Sequence, residues 1–401
     1  MISAKTIEIV KSTVPVLAEH GEAITRAFYK RLFIQHPEMK NIFNMTHQED
    51  GTQPQVLAKA LFMYAQYIDK LEVLAGAVES IAQKHVSLTI TPEMYPIVGE
   101  NLLAGMGEVL GEAATPEIVA AWAEAYDALA NILIGREEDL YVDREASEGG
   151  FRGQKDFVVT KKVAESRVIT SFYLQRKDGT AISAFQPGQY LALTFTIPNT
   201  THQYTRNYSL SDCNCKDYFR ISVKRELGTP DGVVSNFLHD QVEVGTVLSV
   251  AMPAGEFALK AEDKPVVLIA GGVGITPLMS MYKNLAHRTN RNVTMIQCAL
   301  NSDVRAFEQE IEAGKRAGIA SILLYDQPLA TDVLGKDYDQ KGYLDLATLS
   351  GIPNLKESAI YFCGPKPFMV NTLSLLTTLG IAPEAINYEF FGPAEELELA
   401  K

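Results

Sequence analysis

The hydrophobic pattern of the chain changes twice along its length, and these changes limit the folds that it can adopt. Up to about Tyr141 the apolar residues recur at the spacing of amphipathic helices. After a polar stretch at 142–153 come short strand-like segments bounded by turn residues, and from Pro265 apolar strands alternate with segments of helical length. The sequence therefore predicts a multidomain fold: an all-α domain, a small antiparallel β-barrel and an α/β domain with a parallel sheet.

The length of the chain agrees with several domains, because 401 residues exceed what one hydrophobic core usually fills. The changes of pattern place the predicted boundaries. We expect the all-α domain over 1–145, a linker over 146–153, the β-barrel over 154–262 and the α/β domain over 263–401.

The charge balance excludes some classes of partner. The chain has 36 Lys and Arg against 49 Asp and Glu, a net charge of −13, which repels nucleic acid and anionic membrane surfaces. Neither a signal peptide at the N-terminus nor a stretch of about 18 uncharged apolar residues is found, so membrane insertion is not expected. The prediction is a cytoplasmic enzyme that binds no nucleic acid.

The four cysteines, Cys213, Cys215, Cys298 and Cys363, are too few and too unevenly spaced for a disulfide framework in a chain of this length. The small number and uneven spacing of the cysteines favour a reducing compartment. The Cys213-Asn-Cys215 motif could bind a metal, but no second Cys/His cluster lies nearby, and a polar turn with incidental thiols is favoured.

A glycine-rich turn follows the first strand of the predicted α/β domain. Residues 266–270 form the strand, 271–276 the turn, and Pro277 begins an apolar helix, with Thr276 as a candidate N-cap. Exposed backbone amides at such a turn can bind a pyrophosphate. The turn is not the standard dinucleotide fingerprint, so a structural turn without a ligand remains an alternative.

Five motifs in one fixed order give this turn a context. They lie at 187–190, 206–209, 232–235, 363–365 and 390–393, and taken singly the first two could be an ordinary hairpin and an ordinary barrel strand. Together with the turn they resemble the ferredoxin reductase superfamily, in which an FAD-binding barrel precedes a nicotinamide-binding domain.

The resemblance implies two sets of binding residues, with Ser235 capping a helix toward phosphate. The FAD set is Tyr190, Arg206, Asn207, Tyr208, Ser209, Ser235, Glu389, Phe390, Phe391, Gly392 and Pro393. The NAD(P) set is Gly271, Gly272, Val273, Gly274, Ile275, Thr276, Cys363, Gly364 and Pro365.

His85 ends an apolar stripe in the helical region, where a histidine is more often a core residue than a ligand. The segments 41–43, 83–85, 97–103 and 122–126 around it resemble a bacterial globin. A globin joined to this reductase is similar to the flavohaemoglobins over essentially the whole chain.

Glu137 lies on the inner stripe of the last helix of this region, one turn beyond Leu133. An inward carboxylate needs a hydrogen-bond donor, and the ring N–H of His85 would supply one. The alternative is a solvated residue at a fraying helix end beside Arg136 and Glu138.

The resemblance implies roles for these and other residues around one haem b. His85 would be the proximal iron ligand, with Glu137 and Tyr95 hydrogen-bonded behind it. Tyr29 and Gln53 would lie on the distal side, although Tyr29 could equally be a core tyrosine and Gln53 a polar residue at a helix start. The remaining implied residues are Phe43 against the haem ring, Leu57 limiting the pocket, and Lys84 near the haem.

The function implied by the resemblance is nitric oxide dioxygenase activity, with electrons passing from NADH or NADPH through FAD to haem and with O2 and nitric oxide as substrates. Two alternatives are a sensor or store for O2 or nitric oxide, and an NAD(P)H-flavin reductase for external acceptors. We also expect a monomer, with a lipid as a possible occupant of the haem pocket. Residues 300–305 mix an acid with an arginine and leave NADH and NADPH both open.

Overall fold

The computed structural model describes residues 2–45, 48, 51–229, 231–288 and 291–392. Two compact units divide the chain. The first consists of Met1–Ser147, Phe151–Gln154 and Thr194–Arg206, and the second of Glu148–Gly150, Lys155–Leu193 and Asn207–Lys401.

The N-terminal region is helical, as its periodicity predicts. Ser3 caps the first helix by accepting a hydrogen bond from the Thr6 amide, and Thr115 with Pro116 starts the last. Phe28, Leu32 and Trp122 are among the buried residues of the core. The helices are α1 (Ala4–Ser12), α2 (Val14–Gln35), α3 (Thr52–Tyr67), α4 (Ala75–Ser87), α5 (Met94–Leu110) and α6 (Pro116–Glu145).

Among the described helices, α6 is long and apolar enough to cross a membrane by length and composition. The same helix carries the acids Glu124 and Asp127 within its apolar stretch, and it buries Trp122 and Ala125 in the helical core. Of the apolar stretch of this helix, 28% is buried within the fold.

A six-stranded antiparallel sheet follows, in the order β4-β3-β6-β1-β2-β5. Three neighbouring strands each bury one phenylalanine completely: Phe157, Phe172 and Phe219. This sheet confirms the prediction of an antiparallel β domain between the helical region and the α/β region. The strands are β1 (Gln154–Ala164), β2 (Ile169–Arg176), β3 (Tyr190–Phe195), β4 (Tyr204–Ser209), β5 (Phe219–Lys224) and β6 (Val247–Ala251), and helix α7 is Val233–Gln241.

The C-terminal region is the predicted α/β domain, with a six-stranded parallel sheet in the order β10-β9-β8-β7-β11-β12. Central strand β7 is fully buried, which explains its unbroken apolar sequence. The strands are β7 (Val266–Gly271), β8 (Val293–Ala299), β9 (Ala320–Tyr325), β10 (Gln340–Lys341), β11 (Ala359–Cys363) and β12 (Ile386–Glu389). The helices are α8 (Ile275–Arg288), α9 (Glu308–Arg316), α10 (Leu346–Ser350) and α11 (Lys366–Thr378).

The strand order puts a topological switch point beside β7. From β7 the chain builds the sheet outward on one side through β8, β9 and β10, and then returns to the other side at β11. In sheets of this kind ligands bind at the carboxyl ends of the strands next to the switch point. The glycine-rich turn after β7 and the residues after β11 both lie at this edge.

Candidate functional site

His85 in the last turn of α4 is part of a hydrogen-bonded group of three side chains. Its Nδ1 lies 2.7 Å from Oε1 of Glu137 and 3.0 Å from the Tyr95 hydroxyl, and Tyr95 donates to the same Oε1. Glu137 is 3% exposed, so it lies in the core and not in solvent. Because a carboxylate only accepts, Nδ1 of His85 carries the proton and Nε2 has the free lone pair.

Local helix geometry explains why these three residues meet. Glu137 follows Leu133 by one turn on the buried face of α6, and Tyr95 is in the first turn of α5. Burial, followed by the hydrogen bond and charge of Glu137, raises the pKa of Tyr95 well above its ordinary value. Tyr95 therefore stays a neutral donor that holds the carboxylate toward His85.

A second polar group surrounds Tyr29 on α2. The Tyr29 hydroxyl is hydrogen-bonded to Gln53 and Gln48, and burial raises its pKa to about 12. The ring centroid of Phe43 lies 5.5 Å from that of Tyr29 in an edge-to-face contact. Gln53 and Phe43 thus both contact Tyr29.

The donor set of the helical region fits a haem. Both hydrogen bonds of the His85 ring to described residues use Nδ1, so Nε2 is the nitrogen available to iron. Leu57 and Phe43 pack against the apolar core that would receive the porphyrin. Lys84 is exposed, and its role near the haem stays a prediction.

The glycine-rich turn is held tightly against the end of β11. A Cβ on Gly274 would lie 2.2 Å from the carbonyl oxygen of Cys363, whereas Gly272 has φ of +54° and open space beside it. The turn therefore needs glycine at both positions. At Gly274 a side chain would clash with the end of β11, and at Gly272 the backbone has a positive φ that other residues rarely adopt. Ile275 starts helix α8, and its amide donates within the turn to the carbonyls of Gly272 and Val273.

Thr276 does not cap that helix. The helix begins one residue before it, and the Thr276 hydroxyl donates to the carbonyl of Val273 at 3.0 Å. Pro365, directly after Gly364, is the N-cap of α11, the helix that follows the neighbouring strand β11. The predicted NAD(P) residues thus share the carboxyl edge of β7 and β11.

The predicted flavin residues are spread over several elements of the described chain. Arg206, Asn207, Tyr208 and Ser209 lie on β4, which neighbours β3 with Tyr190 at its start. The Arg206 guanidinium lies 5.6 Å from the ring centroid of Tyr204, on the same strand.

Ser235 does not cap α7, so this prediction is wrong. Gly232 is the N-cap, and Ser235 lies in the first turn of the helix. Its hydroxyl donates to the Gly232 carbonyl and accepts from the Glu226 amide, both at 3.2 Å, because the preceding loop folds back over it.

Glu389 at the end of β12 is paired in register with Cys363 at the end of β11. Its Oε2 is buried with no partner among the described residues, and burial raises the pKa of Glu389 to about 8. A buried carboxyl oxygen without a donor fits a site that a bound group completes. Phe390 packs in the adjacent core, Phe391 is exposed, Gly392 contacts the Phe390 ring, and Pro393 lies outside the described residues.

The interpretation of Cys213 and Cys215 as incidental thiols is also wrong, because the two residues form a disulfide. Their spacing in a tight turn brings their Cα atoms to 5.3 Å, within the usual range for a bond. No group of three or more metal-binding side chains occurs among the residues that the structure describes, so the metal alternative gains no support.

Sequence reasoning missed two residues near Tyr29. Phe33, one helical turn later on α2, stacks on Tyr29 with ring centroids 5.9 Å apart. Helical spacing alone could have identified it. Gln48 lies in a segment without helical or strand periodicity, and no local signal places it beside Tyr29.

Three family models match the chain in the order of its regions. They are Globin over residues 26–133, Oxidoreductase FAD-binding domain over 156–259, and Oxidoreductase NAD-binding domain over 268–373. The flavohemoprotein of Halalkalibacterium halodurans is 46% identical over 403 residues, which cover 99% of this chain and 98% of the relative.

The solved structures that are similar to the chain include a whole flavohemoglobin and a separate reductase domain. The flavohemoglobin of Malassezia yamatoensis with bound FAD and haem has 29% identity and a TM-score of 0.85, and the match covers 98% of this chain and all of that one. The FAD/NAD-binding domain of the nitric oxide dioxygenase of Vibrio cholerae has 36% identity and a TM-score of 0.56 over 60% of this chain and all of that one.

Haem, FAD and a nicotinamide nucleotide are thus the cofactors of the three regions, and O2 and NAD(P)H are substrates. The relatives match from end to end at nearly half of all positions. The chain therefore belongs to the flavohemoprotein family and is an NAD(P)H-dependent haem oxidoreductase.

Proposed function

We propose that this flavohemoprotein is a nitric oxide dioxygenase. Two molecules of nitric oxide and two of O2 would react with one NAD(P)H to give two nitrate ions, NAD(P)+ and one proton. The observation that carries the proposal is the buried Glu137 carboxylate hydrogen-bonded to Nδ1 of His85. A carboxylate hydrogen-bonded to an iron-binding histidine would make the imidazole a stronger electron donor, which redox chemistry at iron needs and gas storage does not.

The rest of the chain supports the same activity. When bound, haem supplies an iron atom that binds gases, and FAD converts a hydride pair into single electrons. A reductase on the same chain supplies electrons in every cycle, which a sensor does not require. The similarity to a domain of the nitric oxide dioxygenase of Vibrio cholerae adds support for this substrate.

The residues on the two sides of the haem would have different tasks. His85 would hold the iron through Nε2, while Tyr95 keeps the Glu137 oxygen oriented toward Nδ1. On the other side, Tyr29 and Gln53 would donate hydrogen bonds to a gas molecule and stabilise negative charge that develops on it. A phenol with a pKa of about 12 keeps its proton at physiological pH, so Tyr29 is a donor throughout this range.

Replacing Glu137 with glutamine is expected to weaken the hydrogen bond to His85, because a neutral amide oxygen accepts less strongly than a carboxylate. We expect a lower iron–histidine stretching frequency, a higher haem reduction potential and about tenfold slower nitric oxide turnover. Resonance Raman spectroscopy and potentiometry measure the first two. The neighbouring Glu138, which is exposed and pairs with Arg152, provides the control E138Q, expected to change none of them. Unchanged values in E137Q would contradict the proximal role.

Replacing Tyr29 with phenylalanine removes one donor from the distal side without a change in ring size. The expected result is an O2 dissociation rate about tenfold higher, equivalent to about 1.4 kcal/mol. Stopped-flow displacement of O2 measures it. Y64F is the matched control, because Tyr64 is also buried but donates to the carbonyl of Ala125. Equal O2 dissociation rates in Y29F and Y64F would count against the assignment.

The wild-type rate should not respond to the ionisation of Tyr29 below about pH 10, since burial raises its pKa to about 12. The raised value means that the neutral phenol is favoured in the folded protein. This preference for the neutral phenol contributes to the stability of the folded protein in full below the ordinary tyrosine pKa, and the contribution is lost as the pH rises through about 12.

The proposed function is tested by adding nitric oxide to the aerated holoenzyme with NADH, and by measuring nitrate and NADH together. The expected result is two nitrate ions per NADH oxidised. Tight O2 binding without turnover would favour the gas sensor or store. NADH oxidation that depends on ferric chelates or quinones but not on nitric oxide would favour the external reductase. For the native protein we further propose a monomer in the cytoplasm.

A further inference from the structure

The disulfide between Cys213 and Cys215 lies in a loop that directly follows strand β4, the strand of the predicted flavin motif. Cys213 is 1% exposed, whereas Cys215 is exposed. Residue Cys215 is therefore open to another molecule and residue Cys213 is protected. This asymmetry is what stepwise thiol–disulfide exchange needs.

The same loop is bound to one face of helix α8. Ser280 Oγ donates to the carbonyl of Asp212 at 2.7 Å, and Nζ of Lys283 lies 2.6 Å from Oδ1 of Asp212. Nδ2 of Asn284 donates to Oδ1 of Asn214, the residue between the two cysteines, at 2.8 Å. Residues 280, 283 and 284 share one helical face. The loop thus positions the helix that begins at the nucleotide-binding turn.

Buried charges join the loop to the rest of this unit. Arg220 on β5 is 1% exposed, lies 3.6 Å from Asp212, and donates to Glu310 on α9 at 2.8 Å. Although burial raises it, the charges of Arg220 and Lys283 hold the pKa of Asp212 below its ordinary value. The amide of Cys213 donates to Oδ1 of the same carboxylate at 2.8 Å. A change of backbone at Cys213 therefore acts on a charge network that reaches α8 and α9.

The other two cysteines are poor candidates for exchange. Burial raises the pKa of Cys298 to about 12, and burial with the charge of Glu389 raises the pKa of Cys363 well above its usual value. Only thiolates attack disulfides, so both side chains are unreactive at neutral pH. The exposed residue Cys215 is therefore the favoured point of attack.

We propose that Cys213 and Cys215 form a thiol–disulfide exchange site, through which an external dithiol slows hydride transfer from NAD(P)H to the flavin. In the oxidised form the disulfide holds Asn214 against Asn284 and fixes α8 with its nucleotide-binding turn. Reduction frees the loop and loosens this contact. The proposal rests on the family's nicotinamide-to-flavin step and is independent of which gas reacts at the haem.

The exchange takes place in two steps, with all atoms and electrons accounted for. A thiolate of the external dithiol attacks Sγ of Cys215, the Cys213–Cys215 bond breaks, and Cys213 leaves as a thiolate that takes up a proton. The second thiol of the reagent, as a thiolate, then attacks the mixed disulfide and releases Cys215, which is protonated in turn. The reagent loses two electrons and becomes a disulfide, and the protein gains two thiols. The reverse reaction with an oxidised reagent restores the protein disulfide.

The test uses the holoenzyme equilibrated with reduced or oxidised dithiothreitol and then desalted without oxygen. Alkylation and mass spectrometry are expected to find two more labelled cysteines in the reduced sample. Anaerobic stopped-flow mixing with NADH then measures flavin reduction, which should be about threefold to tenfold slower in the reduced protein, the effect of losing one or two neutral hydrogen bonds. The haem spectrum should be the same in both samples.

Two variants separate this site from other causes. C213S/C215S keeps Cys298 and Cys363, and should reduce its flavin at the slow rate whichever reagent is used. N284A keeps the disulfide but loses the contact with Asn214, and should be slow even when oxidised. Equal rates in oxidised and reduced wild-type protein, a full response to dithiothreitol in C213S/C215S, or free thiols at both positions after oxidation would each overturn the proposal.

Discussion

Replacement of His85 with alanine should lower nitric-oxide-dependent NADH oxidation by about 100-fold or more. The reason is that Nε2 of His85 is the nitrogen available to bind iron, since Nδ1 is hydrogen-bonded to Glu137 and Tyr95. The variant should purify with little haem. Reduction of FAD by NADH should be unaffected, because it takes place on the other domains of the chain. Haem content by pyridine haemochrome assay and NADH oxidation with nitric oxide measure the two effects.

H20A is the control for this variant, since His20 is an exposed histidine on α2 in the same unit. It should retain its haem and its activity. Nitric oxide consumption that survives in H85A at the wild-type rate would mean that haem is incidental, and the external-acceptor reductase would then become the better account.

Replacement of Gly274 with alanine should lower the rate of flavin reduction by NADH by about 100-fold, because a Cβ there would lie 2.2 Å from the Cys363 carbonyl oxygen. The turn would have to move away from β11 and carry the start of α8 with it. Anaerobic stopped-flow mixing with NADH measures this rate. Dithionite should still reduce the haem fully, since the globin residues are unchanged.

G272A is the matched comparison on the same turn. Its Cβ would meet no atom within 4 Å, but its φ of +54° is unfavourable for alanine, by roughly 1–2 kcal/mol. We therefore expect a smaller loss of rate in G272A than in G274A. A wild-type rate in G274A, with FAD content preserved, would contradict the placement of the nucleotide at this turn.

The order of helical, antiparallel and parallel regions could be predicted from sequence. Amphipathic helices, half-buried strands and fully buried strands each have their own spacing of apolar residues. Glu137 illustrates the same logic within the site. An acid one turn after Leu133 on an apolar stripe must find a donor if the stripe is buried, and the structure places His85 and Tyr95 at its carboxylate. The helical spacing and the cost of an unpaired buried charge pointed to a donor such as His85, whereas Tyr95 was implied only by the family resemblance.

The parts that could not be predicted depend on contacts between segments far apart in sequence. Gln48 meets Tyr29 through the fold and not through any local pattern. Ser235 resembles a cap in sequence, but the loop carrying Glu226 takes its hydroxyl. The disulfide of Cys213 and Cys215 could not be predicted from the small number of cysteines, because bonding depends on the geometry of one turn.

The central claim is that one chain carries electrons from a nicotinamide nucleotide through FAD to haem. It is tested most directly by mixing the anaerobic ferric holoenzyme with NADH and following its absorption spectrum. We expect the flavin band to bleach first and the haem bands then to shift to those of the ferrous form, at a rate that does not depend on protein concentration. Bleaching of the flavin with haem that stays ferric would contradict the account.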